Sequence, residues 1–111
     1  MDYENSFSSW EVLVSDDVLQ DLDNFVYYLF VEKLNEQAAN AVLEDYDATI
    51  NKLATVAGRL KILEDPEFAE KGYRKIRFQR HNYYLIYRIV EDKAVVYRMF
   101  HDLQDLDNAL R

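Results

Sequence analysis

The chain is 111 residues long, which allows one domain around one core, and half of its residues are apolar. It contains no cysteine and only two histidines, His81 and His101, so disulfides and thiolate metal sites are excluded and no zinc ligand set stands out. The formal charge of −8 turns the molecule as a whole away from nucleic acid.

That charge is uneven. Residues 1–70 hold 16 acids and four bases, a balance of −12; residues 71–88 hold six bases and no acid; residues 89–111 hold five acids and three bases. The positive charge therefore gathers in one ribbon, "RKIRFQRHNYYLIYR", at 74–88. No stretch approaches 18 apolar residues, and "MDYENSFSSW" lacks the regions of a signal peptide. A soluble, cytoplasmic single domain over 1–111, with no membrane partner, is expected, and residues 1–8 are expected to fray. Gly58 and Gly72 are the only glycines, so phosphate loops and dinucleotide fingerprints are missing. No cofactor and no metal are expected.

In chain order, "WEVLVS" alternates Trp10, Val12 and Val14 with Glu11, Leu13 and Ser15, the pattern of a strand. Ser15 reads as a helix N-cap, with Asp16 and Asp17 in a first turn where the helix dipole favours negative charge. The helix carries Val18, Leu22, Phe25 and Leu29 on one stripe and ends near Lys33. A second, long helix follows a short break at Asn35. Its seam runs Ala39, Leu43, Tyr46, Ile50, Leu53, Ala57, Leu60, spaced four and three in turn. The two helices are expected to fold back on each other as an antiparallel hairpin.

"EDPEFAEKG" breaks the helical pattern at Pro66 and Gly72. Three strands then follow: "YRKIRFQ", "YYLIYRIV" and "AVVYRMF", the last two joined by a turn at Glu91-Asp92. In the first of them Ile76 and Phe78 share a face directed at the helices, and Lys75 and Arg77 point to solvent. In the last, Val95, Tyr97, Met99 and His101 alternate with Val96, Arg98 and Phe100. "HDLQDLDNAL" is expected to form a brief terminal helix. The order β-α-α-β-β-β gives an α+β fold, an antiparallel sheet packed against an α-helical hairpin.

The ribbon supports three readings: a solvated sheet face, a surface that sets Lys and Arg against phosphates and Tyr against bases, or a groove for an acidic peptide. His101, where the last strand ends, is read either as an exposed strand-end histidine with a structural hydrogen bond or as a group that gives or takes a proton near neutral pH.

The segments "GYRKIRF", "YYLIYRI" and "VVYRMFHDL", in that order and spacing, resemble the RelE/ParE superfamily of type II toxin–antitoxin toxins over residues 9 to 107. The resemblance implies a strand–helix–helix–meander fold, a cognate antitoxin as partner and a cytoplasmic target. It implies one of two activities. RelE-type members cut mRNA on the ribosome; ParE-type members poison DNA gyrase by binding it. In many RNA-cutting members the middle meander strand reads Tyr-Arg-Leu-Val-Tyr, and Tyr84 stands here in the arginine's place. His101 matches the histidine that other members carry after the last strand. Of the two activities, the sequence is read first as that of a ribosome-dependent endoribonuclease, an mRNA interferase, because His101 and the basic ribbon together could form its site. His101 is the general acid, with Arg74 and Arg77 as its catalytic partners, and gyrase inhibition is the alternative. Lys75, Arg80, His81, Tyr83, Tyr84, Arg88 and Arg98 then hold phosphate or stack bases. A degenerate member that only binds its antitoxin is the third reading.

Overall fold

A computed structural model describes residues 9–104. Strand β1 is Glu11–Val14. Ser15 ends it and caps helix α1, Asp16–Tyr27: its Oγ accepts from Val18 N at 3.3 Å and donates to Tyr97 O at 3.0 Å. One side chain thus starts the helix and ties it to the sheet. The helix widens into a π turn at Tyr28–Glu32, where Lys33 N donates to Tyr28 O and Asn35 N to Leu29 O. Leu34 follows with φ at +50°. Asn35 then caps α2, Glu36–Val56, by accepting from Ala38 N at 3.0 Å, and α2 tightens into a 3₁₀ turn at Ala57–Arg59.

The next stretch is a short helix, α3, at Pro66–Glu70. The sequence reading took it for a plain break. Asp65 caps it through Glu67 N and Phe68 N, and proline at the first turn has no N–H to lose there. The meander follows as β2 (Arg74–Arg77), β3 (Tyr83–Val90) and β4 (Lys93–His101). Glu91, at φ +59°, turns the β3–β4 hairpin.

The sheet order is β1-β4-β3-β2. The meander is antiparallel, and β1 joins it parallel to β4. Two helices of opposite sense return the chain so that β2 starts in the direction of β1. Two reversals later β4 has that direction again, so the edge pair must be parallel.

A bulge interrupts β4. Ile86 pairs with Arg98 and Tyr87 with Val96, leaving Tyr97 without a partner across the ladder. The expected simple alternation of β4 is corrected by this extra residue: Ala94 and Val96 face the helices before it, Met99 after it, and Phe100 lies on the other face.

The main core lies between sheet and hairpin, with Val18, Leu22, Val42, Tyr46 and Leu53 against Ile76, Leu85, Tyr87, Val96 and Met99. Each such side chain contributes about 1.5–3 kcal/mol on burial. The expected α2 seam is shifted. Val42 and Thr49 are buried with Ala39, Tyr46, Leu53 and Ala57, whereas Leu43 is 38% exposed and Leu60 falls beyond the helix. A four–three spacing averages 3.5 residues per turn and drifts around a straight 3.6-residue helix. Thr49 is admitted because its Oγ1 donates to Asp45 O at 2.7 Å. Trp10 N donates to Ala54 O, and its ring lies over Gly58, where a Cβ would stand 2.8 Å from a ring carbon. The expectations for residues 1–8 and for a terminal helix past residue 104 lie outside the described residues.

Candidate functional site

The sheet face turned away from the helices is an array of cations on aromatic rings. Tyr84, Ile86 and Phe100 form its apolar floor, with Leu63 and Tyr73 packed beside them. Lys75 Nζ stands 5.0 Å from the Tyr84 ring centre. The Arg88 guanidinium lies 5.1 Å from Tyr97 and 5.5 Å from Tyr73, and donates to Tyr97 Oη and Lys71 O. Arg98 lies 5.4 Å from Phe100. Each such contact contributes about 0.5–1 kcal/mol at an exposed site. The ribbon's charge and its aromatics are therefore matched to each other across strands. A shallow cleft of about 330 Å³ borders this face, lined by Leu60, Ile62, Leu63, Glu64 and Lys75. It forms where Ile62 bridges Arg74 and Leu63 N donates to Tyr73 O beside the outer edge of β2.

Arg74, Arg77 and Arg98, three of the arginines expected at a phosphate, are engaged by protein groups. Arg74 Nη1 donates to Leu60 O at 2.6 Å and also reaches Gly58 O, at the C-terminal end of α2 where a cation is favoured. Arg77 pairs with Asp102, and this contact holds the Asp102 carboxyl below its ordinary value. Arg98 grips Asp21 with two nitrogens, at 2.8 and 3.1 Å, and Asp21 Oδ2 also accepts from Met99 N at 3.0 Å. The Asp21 hydrogen bond raises the Arg98 pKa further. Asp21 thereby satisfies a β4 donor just past the end of β1, and α1 covers the edge.

His101 and Tyr83 are paired across β3 and β4, with their rings edge to face at 5.1 Å. Nδ1 of His101 accepts from Leu103 N at 3.1 Å, so the neutral ring carries its proton on Nε2. Tyr83 belongs to the helix-side core and Tyr84 to the opposite face, 8% and 5% exposed respectively. Neither ring face is open to a base in this structure. Lys75 and Arg77 share the open face; His101 and Arg74 turn toward the helical side.

Arg80 and His81 lie in the β2–β3 loop, where the deciding residue is one the sequence reading missed. Asp45, buried on α2, accepts hydrogen bonds from Gln79 N at 3.0 Å, Arg80 N at 2.8 Å and His81 Nδ1 at 2.7 Å. Burial works to raise its pKa, but the hydrogen bonds from His81, Arg80 and Gln79 outweigh it and hold the carboxyl below the ordinary value. Its signal in the sequence was an acid three residues after Val42 and four before Thr49, on an otherwise apolar stripe. Arg80 reaches out to Glu44 at 3.8 Å. Among the described residues no group of three or more histidine or acidic side chains is arranged to hold a metal, and no helix is long and apolar enough to cross a membrane.

The family of ParE toxins of type II toxin–antitoxin systems matches residues 12–106. The chain belongs to this family. It is a ParE-family toxin of a type II module, and an antitoxin is the partner that membership supports. Solved structures share the fold of this ParE-family chain. The chromosomal ParDE system of P. aeruginosa superposes with a TM-score of 0.67 at 16% identity, covering 85% of this chain and 97% of that one. The RelBE2 toxin–antitoxin complex of Mycobacterium tuberculosis gives 0.53 at 23% identity, covering 84% and 91%. A conserved hypothetical protein of Helicobacter pylori gives 0.53 at 15% identity, covering 83% and 93%. No curated protein sequence matches the chain.

Proposed function

We propose that this ParE-family toxin arrests growth by binding a protein, DNA gyrase in the first instance, and that a cognate antitoxin neutralises it. The engagement of its arginines carries the reading. A site that cleaves RNA must aim free positive charge at a phosphate as the phosphorane forms. Here Arg74 donates to Leu60 O, Arg98 is held by Asp21, Arg77 by Asp102, and Arg88 lies between two tyrosines. Tyr84 occupies the strand position of the missing arginine, and it is buried. The net charge of −8 further disfavours entry into a ribosome built of RNA.

Ribosome-dependent mRNA cleavage is the second reading, and one observation favours it. The Leu103 N–H on Nδ1 fixes the His101 ring and leaves Nε2 as the nitrogen from which a protonated ring would hand its proton to a leaving oxygen.

Two assays separate the readings. Purified toxin is added to a gyrase supercoiling reaction, and separately to a cell-free translation reaction in which mRNA 5′ ends are mapped. Inhibited supercoiling with intact mRNA, unchanged in His101→Ala, is expected. New 5′ ends that need translating ribosomes and vanish in His101→Ala overturn the reading and put the chemistry on His101.

A further inference from the structure

Residues 25–34, "FVYYLFVEKL", carry eight apolar or aromatic side chains in ten positions, more than a helix packed on one side can bury. Phe25, Val26 and Leu29 pack against the core. Tyr27, Phe30, Val31 and Leu34 remain outside, exposed by 58, 49, 43 and 85%. All four lie within eight consecutive residues, on the last turns of the first helix and the short link that follows it, so they gather at the hairpin tip. A single exposed apolar residue is ordinary, but four together on a small domain mark a contact surface. The backbone is unusual at the same place. The π turn lies under Phe30 and Val31, and Leu34 sits at φ +50°, a conformation costing an L-residue about 1–2 kcal/mol.

The surrounding charge selects what covers this patch. From Asp16 to Asp47 the hairpin has nine carboxylates and one lysine. That lysine, Lys33, lies 5.6 Å from the Tyr28 ring centre. Glu32 and Glu36 flank Leu34 in the chain, and they and Asp23 and Asp47 on the two helices are exposed. A second copy docked hairpin to hairpin would set like charge against like, and nucleic acid or an anionic lipid surface would be repelled in the same way. An apolar socket rimmed by lysine and arginine on another protein fits both features.

We infer that the tip of the α1–α2 hairpin is the surface by which this toxin holds its protein target, and that the target presents an apolar socket with a basic rim. This rests on the reading of the toxin as a protein binder, and it leaves the cationic sheet face to the antitoxin.

The test uses the full chain and the triple variant Phe30→Ser/Val31→Ser/Leu34→Ser, whose positions are outside the core. Binding to purified DNA gyrase and to the purified cognate antitoxin is measured at low and moderate salt, alongside growth arrest on induction. Gyrase affinity is expected to fall about tenfold or more in the variant, and wild-type affinity to weaken with salt. Antitoxin affinity, which also reports folding, is expected to hold. Unchanged gyrase binding in the variant overturns the inference and leaves the gyrase reading intact. Loss of antitoxin binding with gyrase binding kept makes the antitoxin the occupant and overturns it too. If both affinities are lost, circular dichroism separates an unfolded variant from a shared surface. A shared surface overturns the inference, and an unfolded variant is replaced by Leu34→Asp, read by the same criteria. If the wild type does not bind gyrase, the gyrase reading fails, and growth arrest then decides. Arrest lost with antitoxin binding kept supports the surface for another target; arrest kept overturns it.

Discussion

Asp45 and His81, 36 residues apart in sequence, meet at 2.7 Å, and the Asp45 side chain is 1% exposed. This pair, with the Gln79 and Arg80 amides on the same carboxylate, pins the β2–β3 loop to α2. Replacing Asp45 with alanine leaves those donors without an acceptor, and each part-buried donor so stranded costs about 1–3 kcal/mol. Urea unfolding of Asp45→Ala is expected to show a loss of at least that size, with a smaller loss in Asp45→Asn.

The same carboxylate gives an acid limb. The Asp45 pKa in the folded chain lies below its ordinary 3.8. Its contribution is therefore complete above that value and is lost as pH falls through the folded pKa. Wild-type stability is expected to drop below about pH 4, and the drop should be smaller in Asp45→Asn. Denaturant midpoints between pH 2 and 6 measure the difference.

An alkaline limb comes from Tyr87. Its hydroxyl donates to Ala57 O at 2.7 Å, and burial pushes its pKa from 10.0 to about 12. A raised folded-state pKa favours folding below the unfolded value, and the benefit fades as pH rises through the folded one. Tyr87→Phe is expected to cost about 1 kcal/mol at neutral pH, from the lost buried hydrogen bond. Between pH 10 and 12 the gap to wild type should close, as read by denaturation at matched ionic strength.

The edge of β4 supplies a coupled pair. Asp21 serves both Arg98 and Met99 N, so Asp21→Ala removes the acceptor of three hydrogen bonds and Arg98→Ala removes the donors of two. Losses of about 1–2 kcal/mol for each are expected, with a double-mutant loss smaller than their sum. Toxicity per folded molecule should be unchanged in Arg98→Ala, since this arginine is already committed to the fold.

Gly58→Ala tests the close approach to Trp10. The added methyl would stand 2.8 Å from the ring, and the crowding is expected to cost about 1–3 kcal/mol. Trp10 is the only tryptophan, so its fluorescence follows the displacement directly.

What the sequence disclosed and what it withheld divide along one physical line. Local periodicity was enough for β2: Ile76 and Phe78 are buried, and Lys75 and Arg77 are exposed. Ser15 was legible as a cap because capping is a contact within one turn. The β4 alternation was not, because a bulge is set by the partner strand and leaves no mark at Tyr97. The parallel placement of β1 depends on how two helices return the chain, a property of the whole path. In the ribbon, positive charge was placed on the correct strands. The groups that bind it come from Asp102 and the Leu60 carbonyl, segments with no sequence relation to it. Pro66 could have been read more fully, since Asp before proline is itself a helix start.

The π turn at Tyr28–Glu32 also bears on how this fold accepts changes of length. A wide turn is the footprint of one residue more than a regular helix would hold. Deleting a residue there closes the helix to its ordinary pitch and leaves the upstream packing of Val18, Leu22 and Phe25 where it was. The far side is protected as well, because Asn35 begins α2 with a cap of its own. The hairpin tip is thus a place where this chain can lose a residue without disturbing the sheet.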